Sequence, residues 1–205
     1  MHGSKAVRPP SRPTREQIAA AAGRTVPDVV APGLDVLFVG INPGLYSGAV
    51  RHHFARPGNR FWKVLAGAGF TERVLSPFEE RALLACGCGI TNVVARATAT
   101  ADELSADELR AGARRLEEKV RRLRPAFVAF LGLGAYRVAL DRPGAAIGRQ
   151  EEPFGGSLPW LLPNPSGLNA RYQLPALVVA FRQLREAAVE QARTAEPAGR
   201  GKPGR

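Results

Sequence analysis

Apolar residues along this chain alternate between two patterns. Short, largely apolar runs of strand length occur at Asp35–Val39 (DVLFV), Gly89–Val94 (GITNVV), Ala126–Leu131 (AFVAFL) and Pro159–Leu162 (PWLL). Between them lie amphipathic stretches with helical spacing and helix-start signals. Thr14-x-x-Gln17 is a capping-box pattern opening a short Ala-rich helix that stops near Gly23. Asn59 onward predicts a helix ending at Gly67 and Gly69. Ser76-Pro77-Phe78-Glu79 combines an N-cap, a proline at the first helical position and a glutamate three residues on, predicting a helix to about Ala85. Ser105-x-x-Glu108 caps what reads as the longest helix, to about Arg124, with Glu117–Arg121 and Glu118–Arg122 in the favourable i,i+4 order. Leu174–Gln191 closes the pattern as a further amphipathic helix.

Apolar strands separated by helices predict a parallel sheet covered on both faces, a three-layer α/β/α architecture with a mainly parallel four-stranded sheet. Ligands in such folds sit at the carboxyl ends of strands. That selects three loops: Gly40–Gly58, Thr91–Arg96 and Asn164–Arg171. They are the most polar and Gly/Asn-rich in the chain.

Composition changes this picture little until charge is considered. The 205 residues suit one domain, and a hydrophobic fraction of 45% is ordinary. Lys+Arg number 29 against 18 Asp+Glu, a formal net charge of +11. Residues 1–27 carry net +4 and residues 193–205 net +3, so the globular stretch between is only mildly basic. Residues 1–13 and 193–205 are rich in Pro, Gly and Arg and read as disordered basic tails flanking a domain over 14–192. Such ends favour polyanions through counterion release.

Several classes drop out. Two cysteines, Cys86 and Cys88, and three histidines, His2, His52 and His53, cannot assemble a structural zinc site or a four-cysteine cluster. C-G-C reads as neighbouring strand positions that do not bridge, and two unpaired thiols suit a reducing compartment. No run approaches the roughly 20 apolar residues that cross a bilayer, and no apolar stretch follows the basic N-terminus, so neither membrane insertion nor secretion is expected. Gly132-Leu133-Gly134 is half a dinucleotide fingerprint, with Arg137 in place of the third glycine and no acid-bearing strand about 20 residues on; a close strand–helix turn explains it. No P-loop pattern occurs.

The first loop reads GINPGLYS (Gly40–Ser47). Gly40 and Gly44 permit a tight turn, Pro43 stiffens it, and Asn42 offers both a donor and an acceptor. A ligand-orienting amide and a plain Asn-Pro-Gly turn are both compatible with these residues. The loop continues to Trp62 with basic residues among aromatics, which suits phosphates and a stacked base, although Phe61 and Trp62 read as core. In NPSGLNAR (Asn164–Arg171), Leu168 is an apolar residue on a polar tip, the type that wedges between unstacked bases.

Taken together, GINPGL (Gly40–Leu45), GNRFWKVL (Gly58–Leu65), GITNVV (Gly89–Val94) and NPSGL (Asn164–Leu168), in this order and spacing, resemble the mismatch-specific uracil-DNA glycosylase/thymine-DNA glycosylase family over roughly residues 28–190. The resemblance implies a uracil-DNA glycosylase-like fold and a metal- and cofactor-independent enzyme of base excision repair. Such an enzyme hydrolyses the N-glycosidic bond of uracil in G·U mismatches and of damaged pyrimidines such as ethenocytosine, with thymine in G·T a further candidate. It implies Asn42 as the catalytic residue positioning water, and Phe54 as the aromatic on which the flipped base stacks. Ser47, His53 and Asn92 would shape the pocket, with backbone at Ile41 and Gly44 meeting the base's carbonyl edge. Gly167 and Leu168 would be the wedge, and Asn164, Ser166 and Asn169 would hold that loop and touch DNA. The family continues NPSGL with Ser-Arg; here Asn169-Ala170-Arg171 puts the arginine one position later. The implied partner is double-stranded DNA, the implied state a monomer, and the implied location the cytoplasm at the nucleoid. With no Lys in the three loops, a Schiff-base lyase step is not expected. The competing reading is a non-catalytic mismatch- or DNA-binding protein on the same fold.

Overall fold

The structure, a computed structural model, describes residues 12–167 and 169–195. The tails predicted at 1–13 and 193–205 fall largely outside these residues, as does Leu168.

Five strands form one sheet: β1 (Val36–Gly40), β2 (Cys88–Asn92), β3 (Phe127–Leu131), β4 (Gly148–Arg149) and β5 (Leu158–Leu162), in the order β2-β1-β3-β5-β4. The β1–β2, β1–β3 and β3–β5 pairs are parallel, and β4 is antiparallel to β5. The four predicted strands are the parallel ones, each within a residue or two of its expected limits. The expected count of four is corrected to five, because a two-residue edge strand around Gly148 carries no periodicity to read.

Alternation in β1 explains the layers. Val36 and Phe38 enter one apolar cluster with Phe61, Leu65, Leu177 and Phe181, while Leu37 and Val39 enter another with Leu109, Leu116, Val120 and Tyr136. Strands buried on both faces are apolar at nearly every position, and that makes their runs visible in the sequence. The first face is covered by α3 (Phe61–Ala68) and α6 (Leu174–Ala195), the second by α4 (Ala106–Leu123) and α5 (Leu133–Ala139). The outer edge of β2 is closed by mutual backbone bonds between Val29 and Ile90, at 2.9 and 2.7 Å.

Three capping boxes form as expected, at Thr14 (opening α1, Arg15–Ala19), Ser76 and Ser105. The Ser76 box opens a 3₁₀ helix, Pro77–Cys86, rather than an α-helix. Cys86 ends that helix, exposed, and only Cys88 lies in a strand; both thiols are free, and burial pushes Cys88 up to about 12. The longest helix is α6 with 22 residues, not α4 with 18. Because α6 runs through Arg193–Ala195, the first three residues expected in the C-terminal tail are helical instead. The loop expected over Gly40–Gly58 contains a six-residue helix, α2 (Leu45–Val50), ended by Arg51 in the left-handed conformation.

From β1 the chain moves to β2 on one side, then crosses β1 to reach β3 on the other. The carboxyl ends of β1 and β3 therefore form a topological switch point, where an open α/β sheet leaves a crevice.

Candidate active site

A cleft of about 420 Å³ lies at that switch point. Its walls include Gly40 and Leu131 at the strand ends, and Ile41, Asn42, Gly44, Ser47, His53, Phe54, Asn92, Asn164, Ser166 and Asn169 among the residues expected at a site. Three loops far apart in sequence thus converge on one cavity in the size range of small-ligand pockets. A larger open groove, about 890 Å³, lies at the opposite ends of the strands beside Asp35 and Cys88 and contains none of these motifs.

The GINPG loop is stitched to the segment after β2. Val93 and Val94 N–H donate to the Gly40 and Ile41 carbonyls, Thr98 N–H to Pro43, and Leu45 N–H to Thr98, all at 2.9–3.1 Å. Asn42 Nδ2 lies 2.6 Å from Thr98 Oγ1, 3.1 Å from the Arg96 carbonyl and 3.2 Å from that of Pro43. Arg96 is held in turn by Glu108, with Nε–Oε1 at 2.6 Å and Nη2–Oε2 at 3.0 Å. The guanidinium holds the Glu108 carboxyl down at about 2. The cap of α4 therefore braces the bend that carries Asn42's partners.

Phe54 forms the aromatic wall. It occupies the left-handed region at φ 51° and stacks on Phe61, centroids 4.1 Å apart. Its neighbours are pinned on both sides: His53 N–H donates to Glu80 Oε2 at 2.7 Å, and Ala55 N–H donates to Ser47 Oγ at 3.1 Å. Ser47 is buried, so besides lining the cleft it works as an internal brace.

His53 is buried, and its Nε2 donates to the Pro27 carbonyl at 2.9 Å. A carbonyl can only accept, so in the neutral ring Nδ1 is left as an acceptor, and Asn92 Nδ2 lies 3.4 Å from it. Desolvation by burial lowers the imidazole below its ordinary value against the opposing pull of Glu80, keeping it neutral. With Nδ2 turned to His53, Asn92 Oδ1 lies above Gly40, where an added Cβ would come within 2.4 Å of it and 3.3 Å of the Phe54 ring. Close approach, not turn geometry, requires glycine at 40.

The NPSG segment is organised by a residue the sequence did not single out. Arg60, just before α3, donates to the carbonyls of Pro165 (3.3 Å), Tyr172 (2.5 Å), Ser166 (2.5 Å) and Asn169 (2.9 Å). Asn164 Oδ1 accepts from Ser166 N–H, and Asn169 Nδ2 donates to the Asn164 carbonyl, both at 2.9 Å. Gly167 packs so closely on the Gly58 carbonyl that a Cβ would sit 2.6 Å from it. Arg171 is exposed and lines a separate hollow beside α5, so it is not brought to the base-sized cleft. Leu168 lies outside the described residues.

Sequence reading also missed Thr98, Thr100 and Asp102, which line the cleft from the stretch before α4. A polar residue inside ATATAD has no signature that distinguishes it from a loop. Among the described residues, no group of three or more His, Cys, Asp or Glu could hold a metal ion, and no helix is long and apolar enough to cross a membrane.

A doubly covered, mainly parallel sheet with an amide-bearing rigid loop and an aromatic wall at its switch point defines the class: an α/β protein with a candidate ligand cleft at the strand ends. The family follows from comparison with known proteins. A family model described as the uracil DNA glycosylase superfamily matches residues 27–191, and the chain belongs to that superfamily, with its general DNA glycosylase activity in base excision repair. Among solved structures, the chain is similar to the solution structure of a candidate uracil DNA glycosylase from Methanosarcina acetivorans. The two share 19% identity with a TM-score of 0.55, over 80% of this chain and 98% of the other, a likeness of fold.

Proposed function

We propose that this protein is a monofunctional glycosylase of the mismatch-specific uracil/thymine branch, acting as a monomer on double-stranded DNA in the cytoplasm. It removes uracil from G·U pairs and related damaged pyrimidines such as ethenocytosine, with thymine in G·T a further candidate substrate. The observation that carries this reading is the convergence of Asn42, Phe54 and Asn92 on one cleft. A stacked base cannot reach such a cleft, so the nucleotide must be extruded, and a mispaired base costs less to extrude. The base lies against Phe54. Asn92 Oδ1 accepts from the N3–H of a uracil-like imide, while backbone at Ile41 and Gly44 meets its carbonyl edge.

Hydrolysis breaks the C1′–N1 bond, and its electron pair leaves with the pyrimidine. Water adds its oxygen to C1′ and yields its proton to solvent or to the departing base. Asn42 holds that water; an amide is no proton acceptor near neutral pH, so its contribution is placement. Asn164, Ser166, Gly167 and Asn169 support the wedge, for which Leu168 is the apolar residue by its place in the motif. The product is an abasic site in an intact strand.

The test is a panel of duplexes carrying uracil, ethenocytosine or thymine opposite each base, with alkali to reveal abasic sites. Release of uracil from G·U is expected. Tight mismatch binding without base release from any duplex would establish the binding-protein reading instead. Efficient borohydride trapping would contradict a monofunctional enzyme.

A further inference from the structure

We propose that Thr98 is a positioning residue that, together with the Arg96 and Pro43 carbonyls, holds the Asn42 amide with its oxygen toward the substrate; this rests on the water-holding role given to Asn42 above. Thr98 is buried, and its backbone is fixed from both sides by Pro43 and Leu45. Its Oγ1 lies 2.7 Å from the Thr100 carbonyl and 2.6 Å from Asn42 Nδ2. A hydroxyl has one proton, and the Thr100 carbonyl can only accept it. Toward Asn42, Thr98 therefore shows lone pairs alone. The Arg96 and Pro43 carbonyls, 3.1 and 3.2 Å from the same nitrogen, impose the same demand. All three acceptors require an N–H, so Nδ2 must face them and Oδ1 is left for the cleft, with Thr98 the nearest of the three and the one supplied by a side chain.

That polarity decides what a bound water can do. An amide oxygen accepts one of the water's hydrogens and leaves its lone pairs available to C1′. An amide N–H would engage a lone pair and present hydrogens to an electron-poor carbon. A flipped Asn42 would fill the same volume and hold water in the unproductive sense. The lock explains how a side chain with two nearly isosteric ends serves one role, and it lies in the Arg96–Thr100 bend, outside every recognisable motif.

The experiment compares Thr98→Val, which keeps the shape and loses the hydroxyl, with Thr98→Ser, which keeps the hydroxyl, in the full chain. Single-turnover cleavage of a G·U duplex should fall about 10- to 100-fold in T98V, the scale of a misplaced catalytic group. Duplex affinity should stay within about twofold, and T98S should stay within about threefold of wild type. Side-chain amide exchange of Asn42, followed by ¹⁵N NMR, should be slow in wild type and T98S and fast in T98V. Wild-type cleavage by T98V, or equal losses in both variants, would overturn the proposal. If T98V does not fold, Thr98→Ala takes its place. If wild type releases no base from any duplex, the glycosylase reading fails, and the exchange measurement alone still decides the lock.

Discussion

Phe54 stacks on Phe61 with ring planes 27° apart, and it does so from a left-handed backbone that an aromatic residue rarely adopts. One face of the ring is committed to the core through Phe61, and the residue also lines the cleft. The unfavourable backbone, of order 1–2 kcal/mol, persists because Glu80 and Ser47 hold the peptide N–H groups of the flanking residues. Stacking surface and strained turn are therefore one unit.

Ser47→Ala removes the acceptor for Ala55 N–H and leaves that donor buried. A loss of about 1–3 kcal/mol in unfolding free energy is expected, measurable in urea, together with weaker binding of a mismatched duplex. Unchanged stability and affinity would show that Phe54 keeps its conformation without the brace.

Arg60→Lys tests the NPSG clamp. The guanidinium reaches four carbonyls at once, a fork that a single ammonium cannot reproduce. Affinity for mismatched duplex should fall about 10-fold or more, with discrimination against matched duplex reduced, because the loop would be ordered only on binding. A lysine variant that discriminates like wild type would reduce Arg60 to a packing role.

Arg60 carries no local sequence signature, whereas Asn42 sits in a motif at a strand end. Fully buried strands and capping boxes are local patterns, so β1, β2, β3, β5 and the starts at Thr14, Ser76 and Ser105 could be read directly. The loops at strand ends followed from topology, and the resemblance assigned roles to Asn42 and Phe54. Arg60, Glu80 and Thr98 act across 27 to 112 residues of chain through hydrogen bonds to backbone or side chain, and nothing in local composition marks an arginine as turned inward. The α2 helix is hidden for a related reason: six residues between Gly44 and Arg51, with Gly48 among them, lack a full amphipathic period. The edge strand β4 offers only two paired residues.

His53 gives a pH signature. Burial lowers its folded-state pKa below 6.5, so below that value the unfolded chain binds a proton that the folded chain resists. Stability should be unaffected by this group above about pH 6.5 and should decline as pH falls from there through the folded-state value. His53→Gln should flatten that decline between about pH 6.5 and 5 while leaving the separate loss at lower pH, where Glu79 and Glu108, held at about 2, take up protons. Equal slopes in both proteins, by urea unfolding across the range, would remove His53 as the source.

Asn42→Ala separates binding from chemistry. If the amide only places water, turnover should drop about 100-fold or more, on the scale of losing one oriented polar group, while affinity for a G·U duplex changes little. Single-turnover cleavage at the wild-type rate would take Asn42 out of the reaction.

Gly40→Ala addresses how closely the two recognition elements are coupled. The Cβ position at residue 40 falls 2.4 Å from Asn92 Oδ1 and 3.3 Å from Phe54, so one methyl group meets both the amide proposed to read the base edge and the ring proposed to carry the base. Asn92 cannot rotate away freely, because its Nδ2 faces His53, whose tautomer is fixed by the Pro27 carbonyl. Phe54 cannot retreat, because Phe61 is behind it. The methyl must therefore enter the space of the base or displace Asn92 from His53. Either way, affinity for uracil-containing duplex and cleavage rate should fall together, by about 10-fold or more each, while unfolding free energy drops by about 1–3 kcal/mol. A variant that loses stability alone, with cleavage and binding intact, would mean that Asn92 does not touch the substrate.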